Sequence, residues 1–329
     1  MKTFIKKGIY ENDGKNIMIG TEKYNPSKSL NTAILFIVFN RISTTMRVFN
    51  EIRKVKPPRL YVAADGARKS KSGEAEKVQK VRDYIMSSID WDCEVKTLFR
   101  DENLGCKIAP SDAITWFFKN EEMGIILEDD CLPSQSFFWF CEELLDRYKD
   151  NKKIAQISGN NFQNGKQRGN GDYYFSIYNH IWGWASWADR WIDYDRELTN
   201  FDNVCFIKNI FNDSRIRKYW ENIFNLVKSK KLNTCWDYQW TFINWRKQRL
   251  TILPRVNLIS NIGFGEDATH TIEENRLNNM HRYELIINKH PTDIRSDKKA
   301  DIYTSKVIFL KRNIFVRVIR KIMKIGNKK

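Results

Sequence analysis

The chain has no apolar run approaching the roughly 20 residues that span a bilayer. Its basic start, Met1 to Lys7, is not followed by a long apolar stretch, so neither a spanning helix nor a signal peptide is expected. It has no Cys-x-x-Cys pair. Cys93, Cys106, Cys131, Cys141, Cys205 and Cys235 are scattered, which argues against a zinc site or a disulfide framework and for reduced thiols in a cytosolic protein. Its glycines form neither a dinucleotide fingerprint nor a phosphate loop. There is no internal repeat and no low-complexity tract. Acids are scarce relative to bases: 40 Asp and Glu against 56 Lys and Arg in 329 residues, a net charge of +16. Such an excess calls for a polyanionic partner or surface, such as a nucleotide diphosphate, an anionic lipid or a nucleic acid.

What is present is a globular composition, 42% hydrophobic and 13% aromatic, with chain enough for a sizeable core. Strand patterns alternate with helix patterns. Ala33–Phe39, Leu60–Ala64, Cys93–Leu98, Gly124–Leu127 and Ile154–Ser158 read as strands. Helices are expected from a Ser43 cap through Val48 and Ile52, near Glu74–Ser87, over Pro110–Lys119 and over Phe137–Tyr148. Alternation of this kind predicts an α/β fold with a largely parallel sheet covered on both faces, and ligands at the carboxyl ends of its strands.

The strand at Gly124 runs into Glu128-Asp129-Asp130-Cys131. Three adjacent acids repel one another and cannot all stay charged in a dry core, so they belong at a mouth, near water or a cation. Hard divalent cations bridge carboxylates to phosphates, which makes this strand end a candidate metal–diphosphate site. Two neighbouring strand ends are also polar, Asn40-Arg41 and Asp65-Gly66.

These features resemble the GT-A fold nucleotide-diphospho-sugar glycosyltransferases, and among them N-acetylglucosaminyltransferase I and its bacterial relatives. The matching residues are Asn40-Arg41, Asp65, Glu128-Asp129-Asp130, Pro133 with Phe137-Phe138, Trp182-Gly183-Trp184 with Trp187 and Trp191, and Trp236-Asp237. The match spans roughly residues 31–270. It implies a mixed, mostly parallel sheet flanked by helices, with a Rossmann-like nucleotide-binding half and an acceptor half. The expected domains are an N-terminal extension over 1–30, a catalytic domain over 31–285 and a basic tail over 286–329.

By this resemblance Asp130 holds Mn2+ or Mg2+ on the diphosphate of a nucleoside-diphosphate sugar, a UDP-sugar foremost, with His270 as a further metal or diphosphate contact. Glu128 and Asp129 contact ribose, donor sugar or metal-bound water. Arg41, Asp65, Asn103 and Lys107 approach the nucleotide, and Trp184 the donor or acceptor. Asp237 is the candidate base that takes the acceptor proton. The relatives carry a second acid where Tyr238 stands, so Glu266 and Asp267 remain rival bases. No second carboxylate is placed as a nucleophile, which favours inversion.

From Lys306 to Lys329 there is no acid, and Val307, Leu310, Ile314, Val318, Ile322 and Ile325 recur at helical spacing. This C-terminal amphipathic helix suits either an anionic membrane surface or docking on the domain. A membrane role would place the protein at the inner face of the plasma membrane, working on a lipid-linked or glycan acceptor, as in bacterial surface polysaccharide synthesis. Two other functions fit parts of the sequence: a sugar nucleotidyltransferase, which lacks its Gly-rich basic signature here, and a non-catalytic basic protein that binds membrane or nucleic acid, which leaves the acid triplet unexplained.

Overall fold

A computed structural model describes residues 9–12, 15–18, 24–199, 201, 204–263 and 277–310. A small hairpin, β1 (Ile9–Asn12) and β2 (Lys15–Met18), lies within the expected N-terminal extension. Then follow β3 (Ile34–Val38), α1 (Ile42–Val55), β4 (Arg59–Ala64), α2 (Glu74–Ser88), β5 (Glu94–Phe99), α3 (Gly105–Phe118) and β6 (Met123–Glu128). The chain continues through β7 (Cys131–Pro133), α4 (Ser136–Tyr148), β8 (Ile154–Ser158), β9 (Tyr173–Ser176), β10 (Trp184–Trp187) and α5 (Ala188–Trp191). Last come α6 (Ile207–Ile210), α7 (Ser214–Lys228), α8 (Asp237–Arg246), β11 (Leu250–Pro254), β12 (Ile259–Asn261), α9 (Lys298–Thr304) and a π-helical turn, Ser305–Leu310.

Eight strands form one mixed sheet in the order β5-β4-β3-β6-β10-β8-β11-β9. β3 pairs in parallel with β4 and β6, and β4 with β5, so four carboxyl ends lie along one edge. β10 runs antiparallel to β6, which brings its amino end to that same edge. The fold class expected from the sequence is the one observed.

The strands read as almost unbroken apolar runs because both faces are covered. Side chains alternate along a strand, and β3 shows it. Ile34, Phe36 and Val38 face the core under α1 and α4, while Ala33 and Leu35 face the one holding Phe117, Trp184, Trp191, Trp236 and Trp240. A third cluster, with Tyr178, Trp220, Phe224 and Trp245, joins α7 to α8.

Two helix starts differ from expectation. Ser43 does not cap α1; the N-cap is Arg41, and Thr44 and Thr45 turn their hydroxyls back to its carbonyl, at 3.2 and 2.8 Å. α3 begins at Gly105 rather than Pro110, which lies inside it. Proline favours a first turn. Here, however, the amides of Leu104 and Gly105 already donate to the Asp65 carboxylate, at 3.0 and 2.9 Å, so the helix is capped from a neighbouring strand end five residues earlier.

The segment from residue 286, expected as tail, packs on the domain as far as residue 310. Asp297 N–H donates to the Phe175 carbonyl at 2.8 Å, and Ser296 bridges Phe175 in parallel, which covers the β9 edge of the sheet. Of the expected C-terminal amphipathic helix, residues 306–310 fall in the π-helical turn and residues 311–329 lie outside the described residues. No helix among the described residues is long and apolar enough to cross a membrane.

Candidate active site

The carboxyl ends of β3, β4, β5 and β6 open into a cavity of about 510 Å³. Its wall is made by Phe39 and Arg41 after β3, Asp65 and Arg68 after β4, Arg100 after β5, and Glu128, Asp129 and Asp130 at the end of β6. The three polar strand ends seen in the sequence therefore meet in one place.

Arg41 is the hub. Its Nη2 donates to Asp129 Oδ1 at 2.5 Å and to Asp130 Oδ2 at 2.9 Å, and its Nη1 to the Gly263 carbonyl at 3.3 Å. Burial works against the guanidinium charge, but Asp129 and Asp130 more than offset it and hold the Arg41 pKa above its ordinary value. Asp129 also accepts the Phe39 amide at 3.2 Å and is 4% exposed. Burial raises its carboxyl, Arg41 lowers it, and Asp130 raises it again, with a net upward shift. Glu128 is pushed up too, first by burial and then by Asp130 and Asp129. No protein group among the described residues donates a hydrogen bond to the Glu128 carboxylate, which lines the cavity.

Asp65 lines the cavity, but its carboxylate is committed. It accepts from Leu104 and Gly105 amides, from Asn103 Nδ2 at 3.0 Å and from its neighbour Gly66 at 3.0 Å. Asn103 Nδ2 also donates to the Gly66 carbonyl at 2.8 Å. Asp65 and Asn103, two of the four residues expected to approach a nucleotide, are thus hydrogen-bonded to each other at the end of β4, on the wall of the cavity. Glu74, 5% exposed at the start of α2, accepts from Asn40 Nδ2 at 2.9 Å and from the Arg68 amide at 2.7 Å. That acid locks the β3–α1 and β4–α2 loops together behind Arg41.

Two expected contacts are not in the cavity wall. Lys107 pairs with Glu197 at 2.8 Å, because the early start of α3 turns it toward the segment after α5. Trp184 is 1% exposed and stacks on Trp236, 5.9 Å between ring centres, so it fills the core and offers no face to a ligand. Its neighbour Trp182 is the one that lines the cavity.

Asp237 opens α8, where its own and the Tyr238 backbone N–H groups favour its charged form. Burial, against those two amides, pushes its carboxyl up to about 6. It is close enough to Glu128 for its charge to raise that acid further, although it does not form the cavity wall. Glu266, Asp267 and His270 lie outside the described residues. Gly263 and Leu277, the described residues on either side of that segment, both line the cavity.

A divalent cation fits this donor set in one way. Among the described residues no three His, Cys, Asp or Glu side chains converge as a ready-made cage. Cations held by one or two carboxylates together with substrate phosphates need no cage. Asp130 could meet that requirement through Oδ1: Arg41 takes Oδ2, while Oδ1 accepts only the weak Cys131 Sγ donor at 3.3 Å and a long contact from Asn261 Nδ2 at 3.5 Å.

Sequence reasoning missed Arg68, Arg100, Trp182 and Asn261. For Arg68 and Trp182 a signal existed: one follows Asp65-Gly66 closely, the other belongs to the Trp-Gly-Trp group. Arg100 and Asn261 carry no local signal, because only strand order brings them to the mouth.

No protein-family model and no curated protein matches the sequence. Among solved structures, the chain is similar to the mannosyltransferase PcManGT from Pyrobaculum calidifontis, in complex with GDP-Man and Mn2+. They share 12% identity and a TM-score of 0.36 over 67% of this chain and 71% of that one. It is similar to S. aureus TarS 1-349, at 10% identity and TM-score 0.38 over 70% of this chain and 59% of that one. It is also similar to the glycosyltransferase GlyE of Streptococcus pneumoniae TIGR4, at 10% identity and TM-score 0.35 over 68% of this chain and 45% of that one. At these identities and TM-scores the likenesses carry no argument about chemistry. The chain has a mixed, mostly parallel sheet flanked by helices, with an acidic strand end facing its cavity.

Proposed function

We propose that the chain is a metal-dependent glycosyltransferase that moves a sugar from a nucleoside-diphosphate sugar, a UDP-sugar by its resemblance, to a hydroxyl of a glycan or lipid-linked acceptor, with inversion. One observation carries this reading: the Glu128-Asp129-Asp130 strand end and the Arg41 guanidinium that bridges it form one wall of a cavity open to the ends of β3, β4 and β5. Acids set against a cation, beside parallel strand ends, suit a diphosphate with its counter-ion.

In this reading the rim built by Asp65, Asn103 and Gly105 holds the nucleoside, and Asp130 supplies a carboxylate ligand to the cation. That cation would neutralise charge growing on the departing diphosphate. Arg41 adds a fixed positive charge beside the same oxygens and keeps Asp129 and Asp130 in place. The acceptor oxygen attacks the anomeric carbon as the bond from that carbon to the diphosphate oxygen breaks. The hydroxyl proton goes to Asp237, and the nucleoside diphosphate leaves. A base must lose its own proton before it can act, and a carboxyl raised to about 6 still does so at neutral pH.

The test is a binding and hydrolysis screen of nucleotide sugars with and without Mn2+, on wild type and Asp130→Ala. Metal-dependent binding or slow cleavage of one donor, lost in the variant, is expected. Unchanged catalysis by Asp130→Ala would remove Asp130 from the metal site, and an absence of nucleotide binding by the wild type would remove the transferase reading.

A further inference from the structure

A second cavity, of about 610 Å³, lies along α1 and shares no lining residue with the first. Arg47, Glu51 and Lys54 line it at i, i+4 and i+7, so they share one face of the helix. Arg53, the helix cap Lys56 and Asp90 belong to the same wall, and Arg282 reaches it from a distant segment of the chain.

Five cations therefore stand against two carboxylates, a surplus of three positive charges. Both acids are already engaged. Asp90 takes Arg53, whose Nε donates to Oδ1 at 2.9 Å and whose Nη2 donates to Oδ2. Arg53 first, and Lys56 at longer range, hold the Asp90 carboxyl below its ordinary value. Glu51 is 8% exposed and accepts from Gln135 Nε2 at 2.6 Å, Lys54 Nζ at 3.0 Å and Arg282 Nη2 at 3.3 Å. Arg282 Nη1 donates to the Pro133 carbonyl, which fixes that guanidinium in the wall. Arg47 and Lys56 are exposed and form no ion pair among the described residues.

The helix dipole accounts for part of this. Cations in a last turn answer the partial negative charge on its free carbonyls, and Arg53, Lys54 and Lys56 stand there. It does not account for Arg47, in the middle of α1, or for Arg282, which comes from outside the helix. A concave surface lined by one sign of charge concentrates the opposite ion. Guanidinium and ammonium groups together suit phosphate oxygens. A surplus of three charges suits a diphosphate better than a single carboxylate. With a rise of about 1.5 Å per residue, Arg47 lies about 9 Å and Lys54 about 20 Å along the helix from Arg41, so this charge is set apart from the acid cluster.

We propose that this cavity is a second anion site, which binds a diphosphate or similarly compact phosphate group on a molecule other than the one held in the first cavity. Arg47, Lys54 and Lys56 take the phosphate oxygens. Arg53 and Arg282, tied down by Asp90 and Glu51, add fixed positive charge. The inference does not rest on the nucleotide-sugar reading of the first cavity.

The experiment is calorimetry with inorganic pyrophosphate, in EDTA and at low salt, on the full chain. It compares wild type with Arg47→Gln, Arg47→Lys, the double variant Arg47→Gln/Lys56→Gln, and Arg100→Ala. Arg100 lines the first cavity and so reports binding there. The exposed positions 47 and 56 should keep the wild-type melting temperature when changed. Saturable binding by wild type is expected, weakened about tenfold in Arg47→Gln and about 100-fold in the double variant, as the loss of one and then two charge-assisted contacts. Arg47→Lys should keep most of the affinity, and Arg100→Ala should stay within about twofold of wild type. No saturable binding by wild type would overturn the site. So would affinity unchanged in Arg47→Gln and the double variant, whatever Arg100→Ala does. Vesicles of phosphatidylglycerol that bind through Arg47 and Lys56, while pyrophosphate does not, would also overturn it and assign these cations to a membrane surface.

Discussion

Gly263→Ala isolates the geometry of the acid cluster with a single methyl group. Gly263 is not in the left-handed region, so its backbone accepts alanine without strain. The obstacle is steric. A Cβ there would stand 2.1 Å from Asp130 Oδ2 and 2.7 Å from Asp130 Cβ and Cγ, where ordinary contact begins at 3.4 Å. Oδ2 would have to withdraw by about 1.3 Å, or the 261–263 backbone would have to yield by as much. The first movement disturbs the 2.9 Å contact from Arg41 to Asp130, and the second the 3.3 Å contact from Arg41 to the Gly263 carbonyl. Displacement of about 1 Å at a reacting centre costs roughly 100-fold in rate, about 2.7 kcal/mol of barrier. Overpacking costs on the order of 1–3 kcal/mol of stability, toward the low end beside an open cavity. The expected result is a fall of about 100-fold in kcat/KM for donor cleavage or transfer, with chemical denaturation showing less than about 2 kcal/mol lost. A Gly263→Ala protein within threefold of wild-type kcat/KM would refute the assignment of Asp130 to the reacting centre.

Two further predictions concern other parts of the molecule. If Asp237 is the base, kcat/KM should be level at neutral pH and fall tenfold per unit below about 6, the value to which burial raises its carboxyl; Asp237→Asn should flatten that limb at a low rate, and a limb that survives in the variant would assign it to another group. Glu284 accepts the amides of Gln135 and Ser136, at 3.1 and 2.7 Å, and so caps α4 from 148 residues away; Glu284→Ala should cost about 1–3 kcal/mol in urea denaturation and Glu284→Gln less, whereas no loss in either would show that the cap contributes nothing.

Much of the fold was legible locally. The strand patterns ending at Val38, Ala64, Glu128 and Ser158 were found within a residue or two, because strands buried on both faces announce themselves as apolar runs. Helix starts were less legible. Sequence rules seek a cap within the same few residues, while α3 is capped by Asp65 from 39 and 40 residues away and α4 by Glu284. Site residues divided in the same way. Arg41, Asp65 and the acid triplet stand out as polar groups that end apolar strands. Lys107 and Trp184 were placed by resemblance, and the register of α3 and the turn at Gly183 moved them elsewhere.

The sequence by itself determined the alternation of strands and helices, the parallel start of the sheet and the acid triplet at a strand end. Each follows from residues close together in the chain, where periodicity and like-charge repulsion act. Only the tertiary structure decided that Arg41 lies between Asp129 and Asp130, that Asp65 is committed to its own rim, and which tryptophan faces the cavity. These depend on strand order, antiparallel register and one left-handed glycine, which bring together groups up to 222 residues apart, as the Arg41 guanidinium and the Gly263 carbonyl are. Local propensity holds no information about such pairs, since their energies exist only once the sheet has formed.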